Sequence, residues 1–319
     1  MEYKKITIIG GGVLGSQIAF QCAYCGYDTT ILIRKEDSKQ KIKRSLEKLQ
    51  KTYIETLTEM TPKHNWARGL ADEKSFNREK SLENANNTME NIKIETDQEK
   101  ALNDADLVIE SITENIEIKR NLYAQIAKIL PEKTVIVTNS STLLPSKLAE
   151  YTKRSNKFLS MHFANAIWKN NIVEVMGHEQ TEEKYFNEII EFGKSIKMIP
   201  LPVTKEKSGY LLNSMLVPFL MSALDLYANG ISDPQSIDDA WTLGTGAPHG
   251  PFKIMDVVGL ETVKNIVEQY QKVPTLINPL LKKMMLPYNY RGMLKIVNKY
   301  IEEGKLGKSV GEGFFKYGD

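Results

Sequence analysis

The feature that most restricts what this chain can fold into is a glycine turn set between two apolar runs. Ile6-Thr7-Ile8-Ile9 leads straight into Gly10-Gly11-Gly12-Val13-Leu14-Gly15, and Thr30-Ile31-Leu32-Ile33 follows the amphipathic stretch between them. The pattern predicts a strand, a turn, a helix and a second strand, the opening βαβ unit of a Rossmann sheet. The glycines fall at the G-x-G-x-x-G positions: Gly10 for the tight turn, Gly12 to let a pyrophosphate approach the backbone, and Gly15 for close helix–strand packing. The N–H groups around Val13 and Leu14 and the positive end of the helix then face the phosphates. A glycine turn of purely structural origin is the competing reading, and the flanking strand and helix weigh against it.

At the end of the second strand, 19 residues past Gly15, a Rossmann fold that takes NAD usually places an acidic residue on the ribose hydroxyls. Here the position holds Arg34, followed by Lys35. A guanidinium accepts no hydrogen bond from a 2′-hydroxyl but forks onto a 2′-phosphate, so the cofactor is NAD or NADP, with the local chemistry leaning to NADP. In the alternative, the pair is a solvated basic face and the ribose is held by Glu36 or by backbone.

At 319 residues the chain has room for a full α/β domain and a second, smaller one. A net charge of +2 with mixed signs argues against nucleic acid or a membrane surface as partner. The first residues enter a strand at once, leaving no room for a targeting peptide, and no uncharged run reaches about 18 residues, so a cytoplasmic protein is expected. The two cysteines, Cys22 and Cys25, fall near the end of the first Rossmann helix instead of at a helix N-terminus, which favours packing over redox chemistry. With so few cysteines and with His64, His162, His178 and His249 scattered, no metal site is expected.

Residues 36–91 form a long, charged, helix-favouring insertion. Ile42, Leu46, Leu49, Tyr53 and Leu57 recur at helical spacing, which predicts a helix pair protruding from the sheet. Its Lys41, Lys43, Arg44, Lys48 and Lys51 are placed to meet the phosphates of a long substrate tail, although a solvated lysine face is the default for such a run. Strands resume at 92–94, 106–110, 134–138 and 158–161, with a helix over 115–130. This alternation implies a doubly wound, mostly parallel sheet over residues 1–203. From about Thr204 the pattern is apolar helix broken by Gly and Pro, so 204–319 is read as an all-α domain whose exposed apolar faces predict a homodimer.

Three polar clusters stand at the expected ligand-binding ends of the strands: Glu114-Asn115 with Lys119, Asn139-Ser140-Ser141, and His162-Phe163-Ala164-Asn165. His162 is suited to take a hydroxyl proton near neutral pH. Twelve residues on, Ile172-Val173-Glu174-Val175-Met176 puts a carboxylate inside an apolar strand. Burying Glu174 is costly unless it is paired, and an imidazole that turns cationic during turnover is a fitting partner.

Taken in order, these motifs resemble the L-3-hydroxyacyl-CoA dehydrogenase family. Glu110-Ser-Ile-Thr-Glu114-Asn115, Asn139-Ser-Ser141, Val173-Glu174-Val175, Gly209-Tyr-Leu-Leu-Asn213 and Val217-Pro218-Phe219 carry the resemblance beside the glycine loop and His162-Phe-Ala-Asn165. So do Gly250-Pro251-Phe252 with Asp256 and Gly259-Leu260, and the C-terminal Gly311-Glu312-Gly313-Phe314-Phe315. The resemblance implies hydride transfer between NAD(P) and C3 of a (3S)-3-hydroxyacyl-CoA, of short chain such as 3-hydroxybutyryl-CoA. It implies His162 as catalytic base, Glu174 as its partner, Ser141 on the substrate oxygen and Asn213 on substrate. It also implies Glu114, Lys119, Asn139 and Asn165 along the cofactor, and Ser45 and Lys51 near coenzyme A.

Departures are local. The family's H-F-F-N-P reads His-Phe-Ala-Asn-Ala, its P-G-F reads Ser208-Gly209-Tyr210, Arg34 replaces the ribose-binding acid, and Ser309 beside Lys308 replaces a cofactor-side lysine. Residues 139–148 also look like the gulonate dehydrogenase and λ-crystallin branch, whose substrates are small hydroxy acids without coenzyme A; Gly250-Pro251-Phe252 and the C-terminal motif favour the acyl-CoA branch. A nucleotide-binding protein without catalysis is a third reading, opposed by the retention of both His162 and Glu174.

Overall fold

The computed structural model describes residues 3–271 and 288–318. The chain divides into two compact units, the first ending at Leu211 and the second beginning at Leu212. The expected boundary near Thr204 falls short of this division, because Tyr210 and the N–H of Leu211 hydrogen-bond back into the first unit.

The first unit runs β1 (Lys5–Ile9), α1 (Val13–Tyr24), β2 (Asp28–Leu32), α2 (Lys39–Glu59), α3 (Arg78–Asn87), β3 (Ile92–Glu95), α4 (Gln98–Leu102), β4 (Leu107–Glu110) and α5 (Ile116–Ile126). It continues through β5 (Val135–Thr138), β6 (Phe158–Phe163), β7 (Ile172–Met176), α6 (Glu183–Ser195) and β8 (Ile199–Val203). The strands form one sheet in the order β3-β2-β1-β4-β5-β6-β7-β8. Every neighbouring pair is parallel except β6 and β7.

Central strands of such a sheet are covered on both faces, so their side chains divide at period two between two cores. Leu107, Ile109, Val135 and Val137 enter one cluster, and Val108 and Ile136 enter the other. The proline-bearing run that becomes β8 does not announce a strand in the sequence pattern. As the edge of the sheet, β8 tolerates Pro200 and Pro202 because their missing N–H groups are not needed by a further neighbour.

The insertion departs from the expected protruding pair. On α2 the residues Ile42, Leu46, Tyr53 and Leu57 are buried, and the Tyr53 ring meets Phe20 and Tyr24 of α1 edge-on at 4.7 and 5.5 Å. The Tyr53 hydroxyl donates to Gln21 Oε1 at 2.7 Å, and the Gln50 side chain donates to the carbonyls of Ala85 and Asn86 at the end of α3. So wide an apolar stripe cannot stand free in water, and α1 supplies its cover.

The C-x-x-C pair ends up in packing. Cys22 is buried and Cys25 half-buried at the close of α1, and burial pushes the first thiol well up and the second to about 12. Thiolate is the reactive form, so labelling of the native protein by a disulfide reagent at pH 8 is expected to be at least about tenfold slower than after denaturation. Prompt labelling of two thiols in the native state would refute this.

The second unit contains α7 (Leu212–Ala228), α8 (Pro234–Thr245), α9 (Pro251–Val258), α10 (Leu260–Gln271) and α11 (Tyr290–Glu302). Leu220, Leu224, Phe252, Met255, Val263, Met293 and Val297 form its core. Two buried aspartates order its turns. Asp238 accepts from the N–H groups of Phe252 and Lys253 and so caps α9, whereas Asp256 accepts from the N–H groups of Phe314 and Phe315 and from the Tyr317 hydroxyl. Gly250 of Gly250-Pro251-Phe252 and Gly313 of Gly311-Glu312-Gly313 owe their places to this. A β-carbon at Gly250 would collide with Asp238, and one at Gly313 with Asp256. No helix among the described residues is long and apolar enough to cross a membrane.

Candidate active site

The glycine loop joins β1 to α1, and its three motif glycines meet three different demands. Gly10 has φ +110°, a backbone state that L side chains rarely adopt. A β-carbon on Gly15 would strike the Gly10 carbonyl, so helix and strand come this close only without one. At Gly12 a β-carbon would meet nothing within 4 Å, no side chain caps the helix, and Val13 is 76% exposed. Open space in front of uncapped helix N–H groups is what a pyrophosphate requires, so the residues present fit a dinucleotide. At the end of β2, Arg34 and Lys35 are exposed, while the Glu36 carboxylate is taken by Lys39 and Thr96.

The ends of β4 and β5 hold a buried ionic network. Glu110 is wholly buried and accepts from Lys119 Nζ at 2.6 Å, the Tyr123 hydroxyl at 2.6 Å, Thr138 Oγ1 at 2.8 Å and the Ile112 N–H at 2.8 Å. A buried carboxylate is tolerable only when so fully partnered. Lys119, itself 1% exposed, also lies 3.7 Å from Glu114. Burial alone would raise the Glu114 carboxyl, but hydrogen bonds from Ser140 and Thr142 and the nearby Lys119 charge outweigh it and hold the group below the usual range.

His162 lies in β6, directly opposite Glu174 in the antiparallel register with β7. Its Nδ1 is 3.0 Å from Glu174 Oε2, and its Nε2 is 3.2 Å from Ser141 Oγ. His162 is 7% exposed and Glu174 1%, so the pair interacts with little screening by water. An ionised Glu174 only accepts, so it suits the tautomer with the proton on Nδ1, in which the neutral ring turns its Nε2 lone pair toward Ser141. The other Glu174 oxygen accepts from the Leu211 N–H at 2.8 Å.

Other expected site residues take varied places. Asn139 Oδ1 accepts from the Phe163 N–H at 2.9 Å, which ties the end of β5 to that of β6. Asn165 is exposed on the following loop, where its carbonyl accepts from the Asn170 side chain. Ser45 and Lys51 are exposed on α2, Lys51 3.7 Å from Glu55, and neither contacts the His162 cluster among the described residues. Asn213 is in the first turn of α7 and belongs to the second unit.

Sequence reasoning left Tyr210, Glu110 and its partners Tyr123 and Thr138 without roles. Glu110 had a signal, since it closes the apolar run Leu107-Val108-Ile109 as Glu174 interrupts its own strand. Tyr210 stood out only as a departure from the family's P-G-F, because its neighbours His162 and Ser140 lie far away in the chain.

Comparison with known proteins agrees along the whole length. The 3-hydroxyacyl-CoA dehydrogenase NAD-binding domain family matches residues 5–207, and the C-terminal domain family of the same enzymes matches residues 209–317. Human mitochondrial hydroxyacyl-coenzyme A dehydrogenase is 32% identical over 314 residues, 98% of this chain and 91% of that protein. A 3-hydroxybutyryl-CoA dehydrogenase of Clostridioides difficile is 28% identical, with 98% and 99% covered. A solved diketoreductase, described as a substrate-directed dual catalyst of dicarbonyl compounds, is 39% identical with a TM-score of 0.83, covering 99% of this chain and all of that one.

Proposed function

The chain belongs to the 3-hydroxyacyl-CoA dehydrogenase family of oxidoreductases, and from that premise we propose that it interconverts short (3S)-3-hydroxyacyl-CoA and 3-oxoacyl-CoA thioesters with His162 as acid–base. The observation that carries this reading is the imidazole held between Glu174 and Ser141 at the ends of β6 and β5.

Gly10, Gly12, Val13, Leu14 and Gly15 would hold the nicotinamide dinucleotide, which would supply or accept the hydride at C3. The remaining work belongs to the chain. Ser141 Oγ and His162 Nε2 converge on the position of the C3 oxygen, so the serine orients it and the imidazole takes its proton during oxidation. The imidazolium so formed is stabilised by Glu174, which also fixes the ring against rotation. In the reducing direction His162 returns the proton to the same oxygen. Glu114, Lys119, Asn139 and Asn165 border the cofactor in this assignment, and Asn213 contacts substrate. The exposed cations of α2, with Ser45 and Lys51, meet the phosphates of coenzyme A. Leu243 and Ile231 of the second unit, 84% and 69% exposed, support a homodimer formed through that unit.

A second reading has its own support in the 39% identity to the diketoreductase and in the loop after His162. Ala166 takes φ +55°, which a proline cannot adopt, and its N–H donates to Gln17 Oε1 at 3.0 Å. The loop is therefore built differently from the family's H-F-F-N-P, and a free 1,3-dicarbonyl compound is the alternative substrate. Both readings place a ketone β to a second carbonyl beside His162. Initial rates with acetoacetyl-CoA and with a free 1,3-dicarbonyl compound, each with both reduced nicotinamides, separate them. Activity on neither would overturn both.

On the cofactor, Arg34 is assigned to a 2′-phosphate. Arg34→Asp is expected to move the ratio of kcat/KM for NADPH over NADH about tenfold or more toward NADH, because a charge-assisted fork is replaced by repulsion. An unchanged ratio would make Arg34 a bystander.

A further inference from the structure

Tyr210, which stands where the family's P-G-F has its phenylalanine, has the geometry of a part of the site. Its ring lies on the His162 imidazole with centroids 4.6 Å apart and planes 14° apart, a stacked pair. Its hydroxyl donates to the Ser140 carbonyl at 2.7 Å, and Ser140 immediately precedes Ser141. The next N–H along, that of Leu211, donates to Glu174 Oε1. Two consecutive residues thus reach all three members of the constellation: the base, its carboxylate and the serine loop.

The backbone is bent to allow this. Gly209 has φ +80° and Tyr210 φ +50°, and a bulky side chain in that left-handed region is uncommon. Such an outlier persists where the surroundings hold it, and here the Ser140 and Glu174 bonds do so. Tyr210 is 1% exposed, and burial pushes its phenol well above the ordinary range, so the hydroxyl stays a donor.

We propose that Tyr210 is a positioning residue for this reaction, fixing the plane of the His162 ring through its stacked face and the Ser141 loop through its hydroxyl bond to Ser140. The inference rests on the proposed acid–base role of His162 and deepens it. A ring stacked face to face cannot turn about its Cβ–Cγ bond without losing the contact, so Nε2 stays aimed at the position shared with Ser141. The same face favours the imidazolium that forms when the proton arrives, a cation over an electron-rich ring whose phenol oxygen is donating its proton. Together these effects are worth about tenfold to thirtyfold in turnover.

The test compares Tyr210→Phe, which keeps the ring, with Tyr210→Leu, which removes it. Tyr210→Leu is expected to lower kcat with acetoacetyl-CoA by about tenfold to thirtyfold, with KM and nicotinamide affinity within about twofold of wild type. Tyr210→Phe should recover most of that loss, keeping a deficit of about threefold from the missing bond to Ser140. An activity-independent arm uses histidine labelled at Cε1, with the His162 signal among the 4 histidines assigned from its absence in His162→Gln. The His162 signal should carry the ring-current displacement of a stacked partner in wild type and in Tyr210→Phe, and lose it in Tyr210→Leu. The proposal is overturned by a Tyr210→Leu variant within twofold of wild-type kcat, by equal losses in the two variants, or by a displacement that survives removal of the ring. A wild-type protein inactive on every 3-oxo substrate, with the displacement present, counts against the functional reading alone.

Discussion

Replacing His162 by Gln, or Glu174 by Gln, is expected to lower kcat with acetoacetyl-CoA by at least about two orders of magnitude while leaving nicotinamide binding within about twofold. The two losses have different origins. Gln at 162 removes the proton acceptor outright, whereas Gln at 174 can turn its amide toward Nδ1 and remove the charge that stabilises the imidazolium. Because the pair is nearly free of water, that charge is worth more than at a surface. Since the two residues act as one unit, the double variant should be little worse than His162→Gln alone. The check is a four-member comparison of initial rates together with quenching titrations of the reduced cofactor. Additive losses, or near-normal rates in either single variant, would dissolve the pair.

The second large effect is expected at Gly15. Its β-carbon would occupy the place of the Gly10 carbonyl, so Gly15→Ala forces α1 away from the end of β1. Neither atom belongs to a flexible side chain that can swing aside. We expect a loss of about 3 kcal/mol of stability, seen as a melting temperature lower by about 10 °C, and nicotinamide affinity weaker by about tenfold or more. Gly12→Ala is the informative contrast. Added to open space, its methyl group should leave the fold intact and weaken cofactor binding only, since Gly12 is assigned to make room for a ligand. Equal thermal losses in the two variants would show that both glycines serve packing.

Much of this was legible in the chain because it is local. The opening βαβ unit could be read from three glycines, two apolar runs and the spacing between them. Glu174 marked itself as a partnered acid by interrupting an apolar strand, and α2 by its apolar repeat. The edge strand β8 escaped notice because proline is a poor strand former in general and acceptable only at an edge. The docking of α2 onto α1 also escaped, since helical periodicity reports which face is covered but not what covers it.

The amino-acid sequence by itself determined the dinucleotide fold and the helical character of the second unit and singled out His162 and Glu174 as candidates, because turn chemistry, periodicity and the cost of burying charge act over a few neighbouring residues. Tertiary structure alone decided that β7 runs antiparallel to β6, which sets Glu174 opposite His162, and that Tyr210 lies flat on the imidazole. Strand direction and a stacking contact across about fifty residues depend on how separate segments share one core, and no local pattern encodes that.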